Sequence, residues 1–268
     1  MIGVFDSGFG GLTVLKELTK VLPEYDYMYL GDSARAPYGN HSHDSVLRFT
    51  REGIDFLLEK GCKLIIIACN TASALVLKEI QEDYLRKPGI TDKKILGVLR
   101  PLAEYAGANS ISIGVIGTRG TVNSKSYKTE IQKIAPNAEV YQRACPLLVP
   151  LIEEDYANKP ETISILKKYL KPLKSYNVDT LILGCTHYPV LLKKIKKIMG
   201  KRVKVPNPGL IVAKSLEEYL ERHKEISELL TKKGTRQYLT TDSEDRFFQI
   251  GYKFYPLKKE DIIRVKIT

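Results

Sequence analysis

The chain has 268 residues, 43% hydrophobic and 27% charged, a balance that excludes disordered and fibrous architectures for most of its length. At roughly 150 residues per domain this fits one large domain or two modest ones. The formal charge of +11 and an isoelectric point near 9.3 raise a nucleic-acid or membrane-surface reading. The four cysteines, Cys62, Cys69, Cys145 and Cys185, contain no C-x-x-C pair, so zinc is poorly supported and no metal is expected. No apolar run approaches the roughly 18 residues of a membrane span. Met1 leads directly into a strand pattern, so no signal peptide is expected. A cytoplasmic chain with reduced thiols is the simplest reading.

Short apolar or β-branched bursts predict strands at Ile2 to Phe5, Tyr25 to Leu30, Leu64 to Ala68, Ile95 to Val98 and Ile111 to Ile116. Further bursts fall at Ala138 to Gln142, Thr180 to Leu183, Val203 to Val205 and Gln237 to Leu239. Helical stripes lie between them. Leu12, Leu15 and Leu18 form one, and Val46, Phe49, Gly53, Phe56 and Leu57 another. Further helices are expected after Thr71, Asn123, Pro146, Pro160, Pro189 and Pro208. This alternation predicts an α/β fold with mostly parallel sheet flanked by helices.

Two pairs of segments look alike. IGVFDSGFGG from Ile2 and IGVIGTRGTV from Ile113 both read as strand, small-residue loop and helix. LIIIACNTAS from Leu64 and TLILGCTHYP from Thr180 both read as strand, small residue, cysteine, polar residue and helix start. The repeat predicts two similar domains, residues 1–94 plus 208–268 and residues 95–207, with a site in the cleft between them. The break is expected at Lys87 to Lys94, which is polar and contains Pro-Gly.

Ligands of doubly wound folds bind at strand C-termini, and here those points hold unusual residues. Cys69-Asn70-Thr71 and Cys185-Thr186-His187 each follow a clean apolar strand. A single cysteine there is most often packed core, but two in matching contexts point to function. A thiol just before a helix start is expected to have a lowered pKa. His187, two residues after Cys185, could shuttle protons or hydrogen-bond the thiol. Asp6 and Ser7 end the first strand before a glycine-rich turn. That turn lacks the spacing of a dinucleotide or P-loop site, and Asp6 could instead cap the next helix. Glu153 and Glu154 could equally be a solvated helix face, and His41 and His43 read as solvated. Two thiols on opposite faces of one carbon could remove and return an α-proton, inverting a stereocentre without pyridoxal phosphate or metal.

Four blocks carry a resemblance to a known family: FDSGFGG from Phe5, GDSARAPYG from Gly31, ACNTASA from Ala68 and GCTHYP from Gly184. Over essentially its full length the chain resembles the glutamate racemases of the cofactor-independent aspartate/glutamate racemase superfamily. The resemblance implies two pseudo-symmetric α/β domains with the active site in their cleft. It implies that Cys69 acts on D-glutamate and Cys185 on L-glutamate, with Asp6, His187 and Glu153 assisting. By the same resemblance Asp6, Ser7, Tyr38, Gly39, Asn70, Thr71, Thr118, Thr121, Thr186 and His187 hold the substrate. It further implies no cofactor, a homodimer, a bacterial cytoplasmic setting and a product used in peptidoglycan synthesis. Two positions depart from the family pattern. Arg100 stands where a glutamate is common, and Asn207 where an acid is common; both bear on packing more than on chemistry.

A racemase for aspartate or another amino acid is the near alternative, since one methylene of substrate is worth only about 1–3 kcal/mol of discrimination. A nucleic-acid-binding protein is the distant one. The densest basic run, seven residues within Lys193 to Lys204, is interleaved with Leu191, Leu192, Ile195, Ile198 and Met199. It therefore reads as the solvent face of a packed helix, with no specific nucleic-acid partner expected.

Overall fold

A computed structural model describes residues 1–86 and 92–267. The chain opens with β1 (Ile2–Asp6), α1 (Leu12–Val21), β2 (Tyr27–Gly31), α2 (His43–Glu59), β3 (Leu64–Ile67), α3 (Asn70–Leu75), α4 (Leu77–Arg86) and β4 (Lys94–Gly97). It continues through α5 (Leu99–Asn109), β5 (Ser112–Gly117), α6 (Arg119–Asn123), α7 (Ser126–Ile134), β6 (Glu139–Ala144), α8 (Leu148–Glu153), α9 (Pro160–Ser175) and β7 (Thr180–Gly184). It ends with α10 (Leu192–Met199), α11 (Pro208–Arg222), α12 (Lys224–Ser227), β8 (Arg236–Thr240), α13 (Glu244–Gly251) and β9 (Ile262–Arg264).

Two wholly parallel sheets result. One runs β4-β3-β1-β2-β8-β9 and the other β6-β5-β7. Every residue of β1, β2, β3 and β7 is buried, which is why these strands read as unbroken apolar runs instead of alternating ones. The internal repeat holds at the level of topology. In the first sheet β1 lies between β3 and β2; in the second β5 lies between β7 and β6, in the same sequence order and direction. Asp6 thus ends one central strand and Thr118 follows the other, while Cys69 and Cys185 follow the two equivalent neighbours.

Local sequence explains the helix starts. Ser42 accepts from the Ser45 N–H to open α2, and Thr118 accepts from the Thr121 N–H to open α6. Asn207 accepts from the Gly209 N–H at 3.1 Å, with Pro208 as the first residue of α11. Such caps stabilise a helix by about 1 kcal/mol each. The Asn207 departure therefore serves as a helix cap. Arg100 lies 75% exposed and pairs with Glu104 one turn on at 2.9 Å, so its charge is spent on the helix surface.

Two sequence expectations need correction, and one strand was not foreseen. Strand β4 pairs with β3 in the larger sheet, so a boundary between residues 94 and 95 cuts through it; sheet membership changes only after Gly97. Of the expected break at Lys87 to Lys94, residues 87–91 lie outside the described ones. Val203 to Val205 contributes only an isolated bridge, Lys204 to Thr180, because Pro206 has no N–H to continue the ladder. Strand β9 was not foreseen: it is a three-residue edge strand in a lysine- and acid-rich stretch with one buried residue, Ile262.

Candidate active site

The C-terminal ends of β1, β3, β5 and β7 converge, and the loops beyond them join the two halves crosswise. Thr71 after β3 hydrogen-bonds Thr118 after β5 at 2.9 Å, and Thr118 in turn meets Thr121 at 3.1 Å. Thr186 after β7 donates to Asp6 at the end of β1, at 3.4 Å. The Thr13 hydroxyl donates to the Thr186 carbonyl at 2.8 Å, tying α1 to the same loop. The glycines here are needed for close approach. A Cβ on Gly10 would lie 2.4 Å from Thr186 Oγ1 and 2.5 Å from His187 Nδ1. One on Gly39 would lie 2.6 Å from Thr118 Cβ.

Cys69 and Cys185 are both buried, at 4% and 6% exposure. The Cys69 thiol donates to Ser7 Oγ at 3.4 Å. Burial pushes this thiol up to about 12, and the nearby Asp6 carboxylate pushes the same way. That corrects the expectation of a lowered pKa. The six-residue helix α3 begins at Asn70, but its dipole is outweighed by desolvation and a neighbouring negative charge. Cys69 is therefore held as a neutral thiol.

The surroundings of Cys185 have the opposite sign. Its Sγ lies 3.9 Å from His187 Nδ1, and His187 Nε2 lies 2.9 Å from Glu153 Oε1. Burial opposes a charge on the imidazole, but the hydrogen bonds to Cys185 and Glu153 prevail and raise its pKa to about 10. Glu153 is thus a partner of His187, not part of a solvated helix face. Phe254 meets the His187 ring edge-on at 5.6 Å, and Lys253 donates to the Glu153 carbonyl at 3.4 Å. The dyad in the second half is thereby braced by the segment after α13 in the first.

Asp6 is fully buried, and the N–H of Gly11, which immediately precedes α1, is among its hydrogen-bond partners. Asp6 also accepts from the Gly8 N–H at 3.0 Å and from Thr186. Burial raises its pKa, while His187 and the backbone N–H groups of Gly11 and Gly8 pull it down. Tyr38 is buried with its hydroxyl donated to Asp32, which also accepts from Arg35 and Thr241. Tyr38 therefore anchors its loop, and Gly39 is the member of the pair that abuts Thr118. The sequence reading missed Tyr127. This buried residue of α7 donates to Asn70 Oδ1 at 2.6 Å and so occupies the acceptor end of that amide. Its only signal was an unremarkable tyrosine in a helical stripe, 57 residues from its partner. Among the described residues no group of three or more His, Cys, Asp or Glu could hold a metal.

Comparison with known proteins gives the class to which this fold belongs. Residues 5–213 match the Asp/Glu/Hydantoin racemase family, and the chain belongs to it. Its relatives narrow the class. The glutamate racemase of Thermoanaerobacter pseudethanolicus is 40% identical over 99% of this chain and 97% of its own. The glutamate racemase of Francisella tularensis, solved in complex with D-glutamate, superposes with a TM-score of 0.88 at 35% identity, covering 99% and 97% of the two chains. The RacE1 isoform of glutamate racemase from Bacillus anthracis gives 0.89 at 34% identity, with the same coverage.

Proposed function

We infer that this chain is an amino-acid isomerase that interconverts L- and D-glutamate by a two-cysteine, two-base reaction. The observation that carries the mechanism is the equivalence of Cys69 and Cys185 at the ends of β3 and β7, combined with their opposite electrostatic settings. In the L-to-D direction Cys185 Sγ takes the α-proton, beside an imidazolium that Glu153 holds in place. Cys69, a neutral thiol, gives its proton to the opposite face of the same carbon. In the reverse direction the roles exchange. Charge that builds on the substrate carboxylate as the α-proton leaves is met by hydroxyl and amide donors of Ser7, Asn70, Thr71, Thr118, Thr121 and Thr186. Asp6, bound to Thr186 and felt by Cys69, links the two sides. No step calls on a cofactor.

Glutamate is favoured over aspartate by the full-length similarity to glutamate racemases from several bacteria. In this family D-glutamate supplies peptidoglycan synthesis. Two α/β domains, split after Gly97 and rejoined near α11, complete the reading, together with a homodimer in the cytoplasm. Among the described residues no helix is long and apolar enough to cross a membrane. The test is an enzyme-coupled assay of D-glutamate formed from L-glutamate by the purified chain without added cofactor. Turnover of aspartate in place of glutamate would overturn the substrate assignment.

A further inference from the structure

The excess positive charge is not spread over the molecule. Residues 167–204 hold eleven Lys and Arg against one acid, Asp179, so this stretch carries +10 of the chain's +11. Asp179 is turned inward, accepting from the Ile111 and Ser112 N–H groups. The fold gathers the basic residues further. Helices α9 and α10 lie side by side, and between them runs a cleft of about 550 Å³. Lys167, Lys171 and Lys174 line it from α9, and Lys194 and Lys197 from α10. Leu170, fully buried, and Ile198 give it an apolar floor. Among the described residues no carboxylate lines the cleft. Lys174 and Lys194 both donate to neutral acceptors, the Ile198 carbonyl at 3.3 Å and Asn158 Oδ1 at 2.6 Å.

We propose that the α9/α10 cleft binds a compact anion carrying two or more phosphoryl groups. Five lysines line one concave space, so an anion with a single charge would leave most of them facing like charges. Lysine meets phosphoryl oxygens as a compact, strongly hydrated point charge with rotatable donors. The volume lies within the roughly 300–1,000 Å³ of small-molecule sites. No aromatic side chain lines the cleft among the described residues, so a nucleic acid would find no stacking platform. The site stands apart from the thiols but sits on α10, the helix that follows the Cys185 loop.

Inorganic tripolyphosphate is the probe, titrated calorimetrically into the intact protein at physiological ionic strength. One-to-one binding is expected, with inorganic phosphate and citrate at least tenfold weaker. Lys171→Glu/Lys197→Glu should weaken tripolyphosphate by about tenfold or more, from the loss of two charge-assisted contacts. Lys128→Glu/Lys258→Glu, with the same change in net charge on other surfaces, should not. Retained racemisation by the cleft variant shows that it folds. Equal weakening by both double variants would overturn the site in favour of a diffuse charge effect. Citrate binding as tightly as tripolyphosphate would overturn the phosphoryl assignment. An oligothymidylate that binds tightly while tripolyphosphate does not would overturn the compact ligand.

Discussion

Glu153→Gln isolates the charge that holds His187. The amide keeps an oxygen to accept from Nε2, at a site where the two side chains are only 8% and 16% exposed, so the geometry is preserved and the negative charge is lost. A hydrogen bond to a charged group contributes about 1.5–3 kcal/mol, and a neutral one about 0.5–1.5 kcal/mol. The difference, about 1–1.5 kcal/mol, corresponds to about one pKa unit. His187, raised to about 10 in the native protein, should therefore titrate about one unit lower in the variant. The direct assay is a ¹⁵N NMR titration of the imidazole. Stability should follow the same linkage. The folded-state pKa lies above the free value of 6.5, so the dyad's contribution is fully present below pH 6.5 and is lost as pH rises through about 10. The variant should accordingly melt below the native protein at pH 6, and the gap should close by about pH 10. Because the enantiomers have equal free energy, kcat/KM must fall by the same factor in both directions, so rate asymmetry in that ratio is no test here. An unchanged His187 titration in Glu153→Gln, or a native His187 that titrates near 6.5, would refute the reasoning.

Other consequences follow from single contacts. Gly10→Ala puts a methyl group within 2.5 Å of His187 Nδ1 and must shift the Cys185–His187 pair. A displacement of about 1 Å near reacting groups costs on the order of 10²-fold in rate, so kcat should fall by that order while the circular dichroism spectrum is unchanged; near-native kcat would contradict the packing. Asp6→Asn removes a buried carboxylate whose pKa burial has raised, so at neutral pH its melting temperature should equal or exceed the native value while racemisation drops. A large loss of stability would show that the charge is well compensated. Tyr127→Phe frees the Asn70 amide to rotate, and KM for glutamate should rise severalfold in both directions with little change in kcat. Its effect should vanish in an Asn70→Ala background, and full additivity in the double variant would break the proposed coupling.

Much of this architecture was legible because its signals are local. The apolar runs Leu64–Ile67 and Thr180–Gly184, each followed within two residues by a cysteine, are buried strands whose patterns needed no tertiary knowledge. The GFGG turn announced a close approach, although only the structure shows that Thr186 and His187 come near it. Pairs made across the fold were not legible. Nothing in the sequence connects Tyr127 to Asn70, or Phe254 to His187, because each contact exists only once two helical layers meet. The thiol pKa was misjudged for a related reason. A helix start is visible in sequence, whereas burial beside Asp6 is not, and for Cys69 burial is the larger effect. Sheet membership of Lys94–Gly97 was hidden because a polar Pro-Gly stretch resembles a domain linker wherever it occurs.

The central claim is that two thiols act on opposite faces of one carbon, and deuterated water tests it most directly. In the native protein, each enantiomer of glutamate should yield product carrying deuterium at Cα, while substrate remaining early in the reaction keeps its protium. Cys69→Ser and Cys185→Ser should each reduce racemisation by at least about 10²-fold, the lower range for loss of a positioned acid or base. Racemisation at the native rate in either variant, or product that retains the substrate's own hydrogen, would contradict the two-thiol account.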